Sequence, residues 1–224
     1  TRYQLNAQLV NEHWQDNTVG VMAASPANPT GTVLSRDELA DLSRAVKARQ
    51  GYLVVDEIYH GLGYDTDTPS VLAVDPDAFV INSFSKYFGM TGWRLGWLVA
   101  PEDAVAEMEK LAQNLFISMS TMAQYAALAG FESSTRDILD ERRDIFRQRR
   151  DFLLPAVREL GFEVPCAPQG AFYIYADASR FTTDSQAFCM KLLEQHGVAL
   201  TPGLDFGHHR AAEHLRFSYT TSMD

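Results

Sequence analysis

Val19-Gly20-Val21-Met22-Ala23-Ala24 runs directly into Ser25-Pro26-Ala27-Asn28-Pro29-Thr30-Gly31, so an apolar stretch breaks on two prolines and a glycine. A run this short, closed by turn residues, predicts a buried strand followed by a loop. Ser35 with Glu38 three residues on forms a capping box, and Leu39, Leu42 and Val46 supply the apolar face of the helix behind it. Gly51 is expected to close that helix. Tyr52-Leu53-Val54-Val55-Asp56 predicts a second buried strand with a carboxylate at its C-terminal end; Phe79–Asn82 and Leu95–Val99 predict a third and a fourth. Strand, helix, strand, loop, strand is an α/β pattern, and all-apolar strands predict a largely parallel sheet covered on both faces. Ligands of such sheets sit beyond the strand carboxyl ends. Asn28, Asp56 and the Ser83–Lys86 group all follow such ends.

Working outward, residues 102–159 read as mostly helical, with Ile138/Ile145/Phe152 and Leu139/Phe146/Leu153 repeating at sevens as one narrow apolar stripe. Six arginines between Arg136 and Arg150 are offset one for one by Glu132, Asp137, Asp140, Glu141, Asp144 and Asp151, which reads as a solvated helix face rather than a nucleic-acid surface. Short strands at 162–164, 171–175, 198–200 and 215–219 surround a helix at 185–196. The expected division is therefore residues 1–132 for a larger part and 133–224 for a smaller α/β domain.

Composition narrows the function classes. With 224 residues, 46% apolar and 11% aromatic, the chain is globular rather than disordered. A net charge of −10 argues against nonspecific nucleic-acid binding, and no apolar run reaches membrane-helix length. Cys166 and Cys189 lack CxxC or zinc-type spacing and read as reduced cysteines of a cytoplasmic protein. No signal peptide is visible, and without an initiator Met, and with Arg216–Thr220 running like a strand into the last residues, the chain is expected to be a piece of a longer protein at both ends.

The chemistry centres on Asn82-Ser83-Phe84-Ser85-Lys86 with Gly92-Trp93-Arg94 after it. Taken alone, Lys86 has three readings. It can be an exposed loop lysine. It can belong to the Ser-x-x-Lys signature of penicillin-binding enzymes, but the Ser-Asp-Asn and Lys-Thr-Gly partners of that signature do not occur. The third reading is a Schiff-base lysine. A free lysine is neutral in only roughly one molecule in 2,500 at pH 7, so a nucleophilic one must be deprotonated by a partly buried, cationic site. Arg94 is such a cation, and with Ser83 and Ser85 it makes a phosphate clamp. A lysine beside a phosphate site implies pyridoxal 5′-phosphate. That cofactor wants a carboxylate on its pyridine nitrogen, which Asp56 can supply, and a buried Asp56 would need a cationic partner. Tyr59 and Asn28 can hydrogen-bond its phenolic oxygen. Individually, Asp56 reads as a strand-end cap, Tyr59 as a packing aromatic and Arg216 as a surface strand arginine. Only together do they point to a cofactor site.

Asn28-Pro29-Thr30-Gly31, Asp56-Glu57-Ile58-Tyr59, Ser83-Phe84-Ser85-Lys86 with Gly92-Trp93-Arg94, and Arg216-Phe217-Ser218-Tyr219 occur in the order seen in class I/II aminotransferases. The chain resembles those enzymes over essentially its whole length. The resemblance implies fold type I: a three-layer α/β/α large domain with a mostly parallel mixed sheet, plus a smaller α/β C-terminal domain. Residues 1–132 would then be the C-terminal half of the cofactor-binding domain. The resemblance makes Lys86 the Schiff-base lysine that also moves the proton, and Asp56 the pyridinium partner. Asn28 and Tyr59 would bond the phenolic oxygen. Ser83, Ser85 and Arg94 would bind phosphate, while Arg216, assisted by Asn28, would hold the substrate α-carboxylate. It implies a homodimer acting on an amino acid and a 2-oxo acid. Ser25 stands where many relatives carry Asn. The arm, glycine-rich turn and ring-stacking aromatic that the family places ahead of these motifs do not occur in this sequence.

Other readings of the same residues remain. A C–S lyase or other amino-acid lyase of the fold would use Lys86, Asp56 and Arg216 too. An aminotransferase-like sensor domain of a transcription regulator, or an inactive structural piece, are further alternatives. His208-His209 carries no metal-binding spacing, Gly61-Leu62-Gly63 is too short for a dinucleotide fingerprint, and residues 202–207 resemble the family's loop that faces the active site.

Overall fold

The computed structural model describes residues 2–223. They divide into two compact units, one of residues 4–26 and 33–143, the other of the first residues, 27–32 and 144 onward.

The first unit opens with helix α1 (Ala7–His13), strand β1 (Gly20–Ala24), helix α2 (Arg36–Lys47) and strand β2 (Tyr52–Asp56). Strands β3 (Phe79–Ser83) and β4 (Gly96–Val99) complete a sheet of order β1-β2-β3-β4. β1, β2 and β3 are mutually parallel and β4 is antiparallel to β3, so the mixed, mostly parallel sheet expected from the sequence is present. Register places Ala23 beside Val55 and Val55 beside Val80, and these side chains pack with Val10, Leu39, Leu42 and Val46 of α1 and α2 into one core. The capping box forms as the sequence predicts: Glu38 N donates to Ser35 Oγ at 3.3 Å and Ser35 N to Glu38 Oε2 at 2.8 Å.

Two details differ from the sequence reading. α2 ends at Lys47, and the left-handed residue after it is Gln50 rather than Gly51. Gly51 is needed for space instead, because a Cβ there would lie 2.3 Å from Trp14 Cη2. Helices α3 (Glu102–Leu115) and α4 (Thr121–Ala129) follow, then α5 (Ser133–Glu159), which starts in one unit and ends in the other. On α5 the two heptad rows do not form one buried stripe. Leu139 is buried whereas Ile138 and Phe152 are 58% and 61% exposed, because neighbouring positions on a helix point about 100° apart.

The second unit holds β5 (Tyr173–Asp177), β6 (Thr201–Pro202) and β7 (His214–Ser218) in the antiparallel order β5-β7-β6, with helix α6 (Ser185–His196). Residues 162–164 contribute only a single bridge, Glu163 to Asp177. Ala178, Cys189 and Leu215 form a small core with Phe162, Phe188 and Phe217 around it. No helix of the described residues is long and apolar enough to cross a membrane.

Candidate active site

In the first unit the predicted residues cluster at the C-terminal ends of β2 and β3, where a parallel sheet leaves its backbone carbonyls and loops free for ligands. Asp56 ends β2 half-buried, and its Oδ1 accepts from Ile58 N at 2.9 Å, an Asx turn that bends the chain outward. Three residues on, Tyr59 is 3% exposed. The Lys86 ammonium lies 5.5 Å from the centre of its ring, a cation–π distance.

Ser83, Ser85 and Arg94 belong to one hydrogen-bonded turn. Ser83 Oγ donates to Ser85 Oγ at 2.9 Å and accepts from Ser85 N at 3.0 Å. Thr91 Oγ1 donates to Ser85 O at 2.6 Å, and Arg94 Nη1 donates to Thr91 O at 2.9 Å. Arg94 has φ 54°, a left-handed conformation that turns the chain from the loop into β4. Its exposed guanidinium lines an open cavity of about 630 Å³ with Gly92, Ser118 and Ser120.

In the second unit Arg216 and Asn28, 188 positions apart, are bonded: Arg216 Nη1 donates to Asn28 Oδ1 at 2.8 Å. β-sheet register explains how the arginine is held. Arg216 sits on the middle strand opposite Tyr175 on one side and Thr201 on the other. Thr201 Oγ1 accepts from Nη2 at 3.2 Å, and the rings of Tyr173 and Phe206 lie 4.1 and 4.7 Å from the guanidinium carbon. Arg216 Nε is buried without a hydrogen-bond partner. The loop carrying Asn28 is fastened by Gly31, whose carbonyl accepts from Gln169 N at 2.8 Å and Gly170 N at 2.9 Å. With φ 67° and Pro168 so near that a Cβ would lie 2.5 Å from it, position 31 admits only glycine without strain.

Comparison with known proteins agrees with these motifs. The profile of aminotransferase class I and II matches residues 2–224. The chain belongs to the class I and II aminotransferases. It is 41% identical over 221 residues to a valine–pyruvate aminotransferase of Mycobacterium tuberculosis, covering 98% of this chain and 57% of that protein. It is 35% identical to a (5-formylfuran-3-yl)methyl phosphate transaminase of Methanocaldococcus jannaschii, covering 97% and 57%. Among solved structures, an aminotransferase from Mycobacterium tuberculosis superposes with TM-score 0.94 at 40% identity, over 98% of this chain and 57% of the other. A Thermus thermophilus aspartate aminotransferase variant gives TM-score 0.90 at 34% identity, over 97% and 56%. The chain thus spans a little over half the length of the relatives it matches, and the type I fold expected from the motifs is the fold of these aminotransferases.

Within this aminotransferase chain, sequence reasoning passed over two residues at the Asp56–Tyr59 turn, the buried Glu57 and the half-buried His60. Glu57, 3% exposed, accepts from Val71 N at 2.7 Å, and His60 Nδ1 lies 3.4 Å from Glu57 Oε2. Burial raises the Glu57 carboxyl above its ordinary range and pulls the His60 imidazole down to about 4. Both flank named motif positions, so the signal was their adjacency to Asp56 and Tyr59. The Glu57 contact is made by the 3-10 turn at Val71–Ala73, which no local pattern announces.

Proposed function

We propose that the protein carrying this chain is a pyridoxal 5′-phosphate-dependent aminotransferase that moves an amino group from an amino acid to a 2-oxo acid. The observation that carries the reading is Lys86 lying over the buried Tyr59 ring in the unit that also holds Asp56 and the Ser83–Ser85–Arg94 turn.

The donor set suits the cofactor. Two hydroxyls and a guanidinium are phosphate ligands, a carboxylate suits a pyridinium nitrogen, and a lysine amine suits an aldehyde. Bound there, pyridoxal phosphate would supply the electron sink that makes an amino acid's α-proton removable. The residues do the rest. Arg94, Ser83 and Ser85 would anchor phosphate, and Asp56 would hold the ring nitrogen protonated. Tyr59 would donate to the phenolic oxygen, with Asn28 as the second donor that the family likeness implies. The Lys86 amine would take up the α-proton and deliver it to the cofactor's aldehyde-derived carbon. Arg216 receives the substrate α-carboxylate on its remaining N–H groups; its guanidinium plane is already oriented by Asn28, Thr201 and two rings, so little rotamer entropy is lost on binding. The valine–pyruvate and aspartate activities named for relatives bear on the substrate class only as amino acid and 2-oxo acid.

Residues 1–132 are read as part of the cofactor-binding domain and 133–224 as the small domain, a division supported by their separate sheets. The two free cysteines, Cys166 and Cys189, support a cytoplasmic location, and the family likeness supports a homodimer.

Borohydride reduction with pyridoxal phosphate, followed by peptide mass mapping, tests the reading in the full-length protein. A phosphopyridoxyl group on Lys86, and not on Lys47, Lys110 or Lys191, is expected. Labelling spread equally over Lys47, Lys86, Lys110 and Lys191 would remove Lys86 from the proposed role.

A further inference from the structure

We propose that Tyr87 and Asp140 form a positioning pair that seats the Lys86 turn against the Tyr59 turn, so that the loop tip bearing the reactive amine is held from behind by the first part of α5. The proposal rests on the reading of Lys86 as the cofactor-binding lysine.

Two separate segments converge on the Tyr87 side chain, the start of α5 and the turn after Tyr59. Its hydroxyl donates to Asp140 Oδ1 at 2.7 Å, and the same oxygen accepts from Arg143 Nη1 at 3.0 Å, which orients the carboxylate. Its ring covers Gly61, where a Cβ would lie 2.5 Å from ring Cγ and where φ is 87°; the position leaves room for the tyrosine and for nothing else. Gly61 lies in the turn closed by Leu62 N donating to Tyr59 O at 3.0 Å. The residue following the lysine therefore rests on the turn that carries Tyr59, and Lys86 Nζ lies 5.5 Å from that tyrosine's ring centre. On the lysine's own side, Gly89 N donates to Lys86 O at 3.0 Å, and Phe88 packs edge-on against Tyr87 at 5.2 Å.

A tyrosine placed only for packing would leave its hydroxyl in water. Here the hydroxyl has a charge-assisted acceptor from a helix 53 positions away. Burial and the Asp140 carboxylate push the Tyr87 hydroxyl up to about 12, so it remains a donor throughout the neutral range. Loosening this anchor frees Lys86 from the Tyr59 ring that covers it. The uncovered amine becomes more reactive toward an acylating reagent.

The test is competitive trace acetylation of the full-length protein freed of cofactor, mapped by mass spectrometry at Lys86 against Lys47, Lys110 and Lys191 as internal references. Tyr87→Phe keeps the ring and Asp140→Asn keeps the shape. Each is expected to raise Lys86 labelling about fivefold relative to the references, and the double variant no further, since contacting residues in one network are not additive. Asp140→Glu, which keeps the carboxylate, is expected to restore part of the protection. Unchanged Lys86 labelling in Tyr87→Phe, additive effects, or a rise shared by Lys47 and Lys110 would each overturn the pair. Borohydride trapping separates this from the parent reading. A Lys86-specific shift without cofactor trapping leaves the pair standing and removes the aminotransferase reading; trapping without a shift removes the pair.

Discussion

The two groups of candidate residues are held by different physics. Lys86, Asp56, Tyr59 and the serines lie on turns at strand ends, where side-chain hydrogen bonds and tight glycine contacts set the geometry. Arg216 lies within a strand, and its neighbours are assigned by ladder register: Tyr175 and Thr201 are its direct partners, with Tyr173 on the same face two residues along. A residue in a ladder inherits rigidity from the backbone, whereas a residue on a turn has only what its loop can build. Turn-borne groups should therefore be more easily repositioned by single changes nearby. The strand-borne arginine should respond mainly to changes in its own contacts.

The sharpest test of the turn side is Lys86→Ala, which should abolish cofactor trapping and transamination outright; a residual visible cofactor band that survives dialysis would break the assignment. On the strand side, Arg216→Ala should leave the fold intact and lower kcat/KM by about 10²–10³, the scale for removing one partner of a hydrogen-bonded charge pair. The loss should fall mainly on KM, and a loss confined to kcat would count against carboxylate binding.

On the turn side a pH effect is expected from His60. His60 is held near 4 by burial, below its unfolded value, so between about pH 6.5 and 4 the unfolded chain binds the extra proton. Stability is therefore retained above pH 6.5 and falls as the pH drops through that window, by up to about 3 kcal/mol. Glu57, whose carboxyl is raised, pulls the other way where it titrates. His60→Gln should flatten the decline in chemical-denaturation curves taken across the window; an unchanged slope would assign the acid sensitivity elsewhere. The smallest effect is expected from Thr201→Val, which removes one neutral hydrogen bond to Nη2 and should raise KM about fivefold, in keeping with about 1 kcal/mol. A far larger effect would mean that Thr201, rather than the two rings, orients Arg216.

Local pattern was sufficient for much of the fold. The apolar runs marked the four strands of the larger sheet, and Ser35 with Glu38 marked the start of α2. Both signals act within a few residues, so no distant partner is needed to read them. The α5 stripe misled because a seven-residue spacing says which positions share a side of a helix, not which side meets a neighbour. Gly51 misled for a related reason. A glycine needed for space at Trp14 looks the same in sequence as a glycine needed for a left-handed turn.

The same division runs through the site. The sequence alone determined which residue types are present and in what order: a lysine between serines and an arginine, a carboxylate at a strand end, an arginine in a late strand. These are covalent facts, and they suffice to name the chemistry. Only the tertiary structure decided that Tyr87 reaches Asp140, that Phe206 and Tyr173 enclose Arg216, and that Glu57 is buried against Val71. Those contacts join positions tens of residues apart, and their energies depend on burial and direction, which a linear order of side chains does not contain.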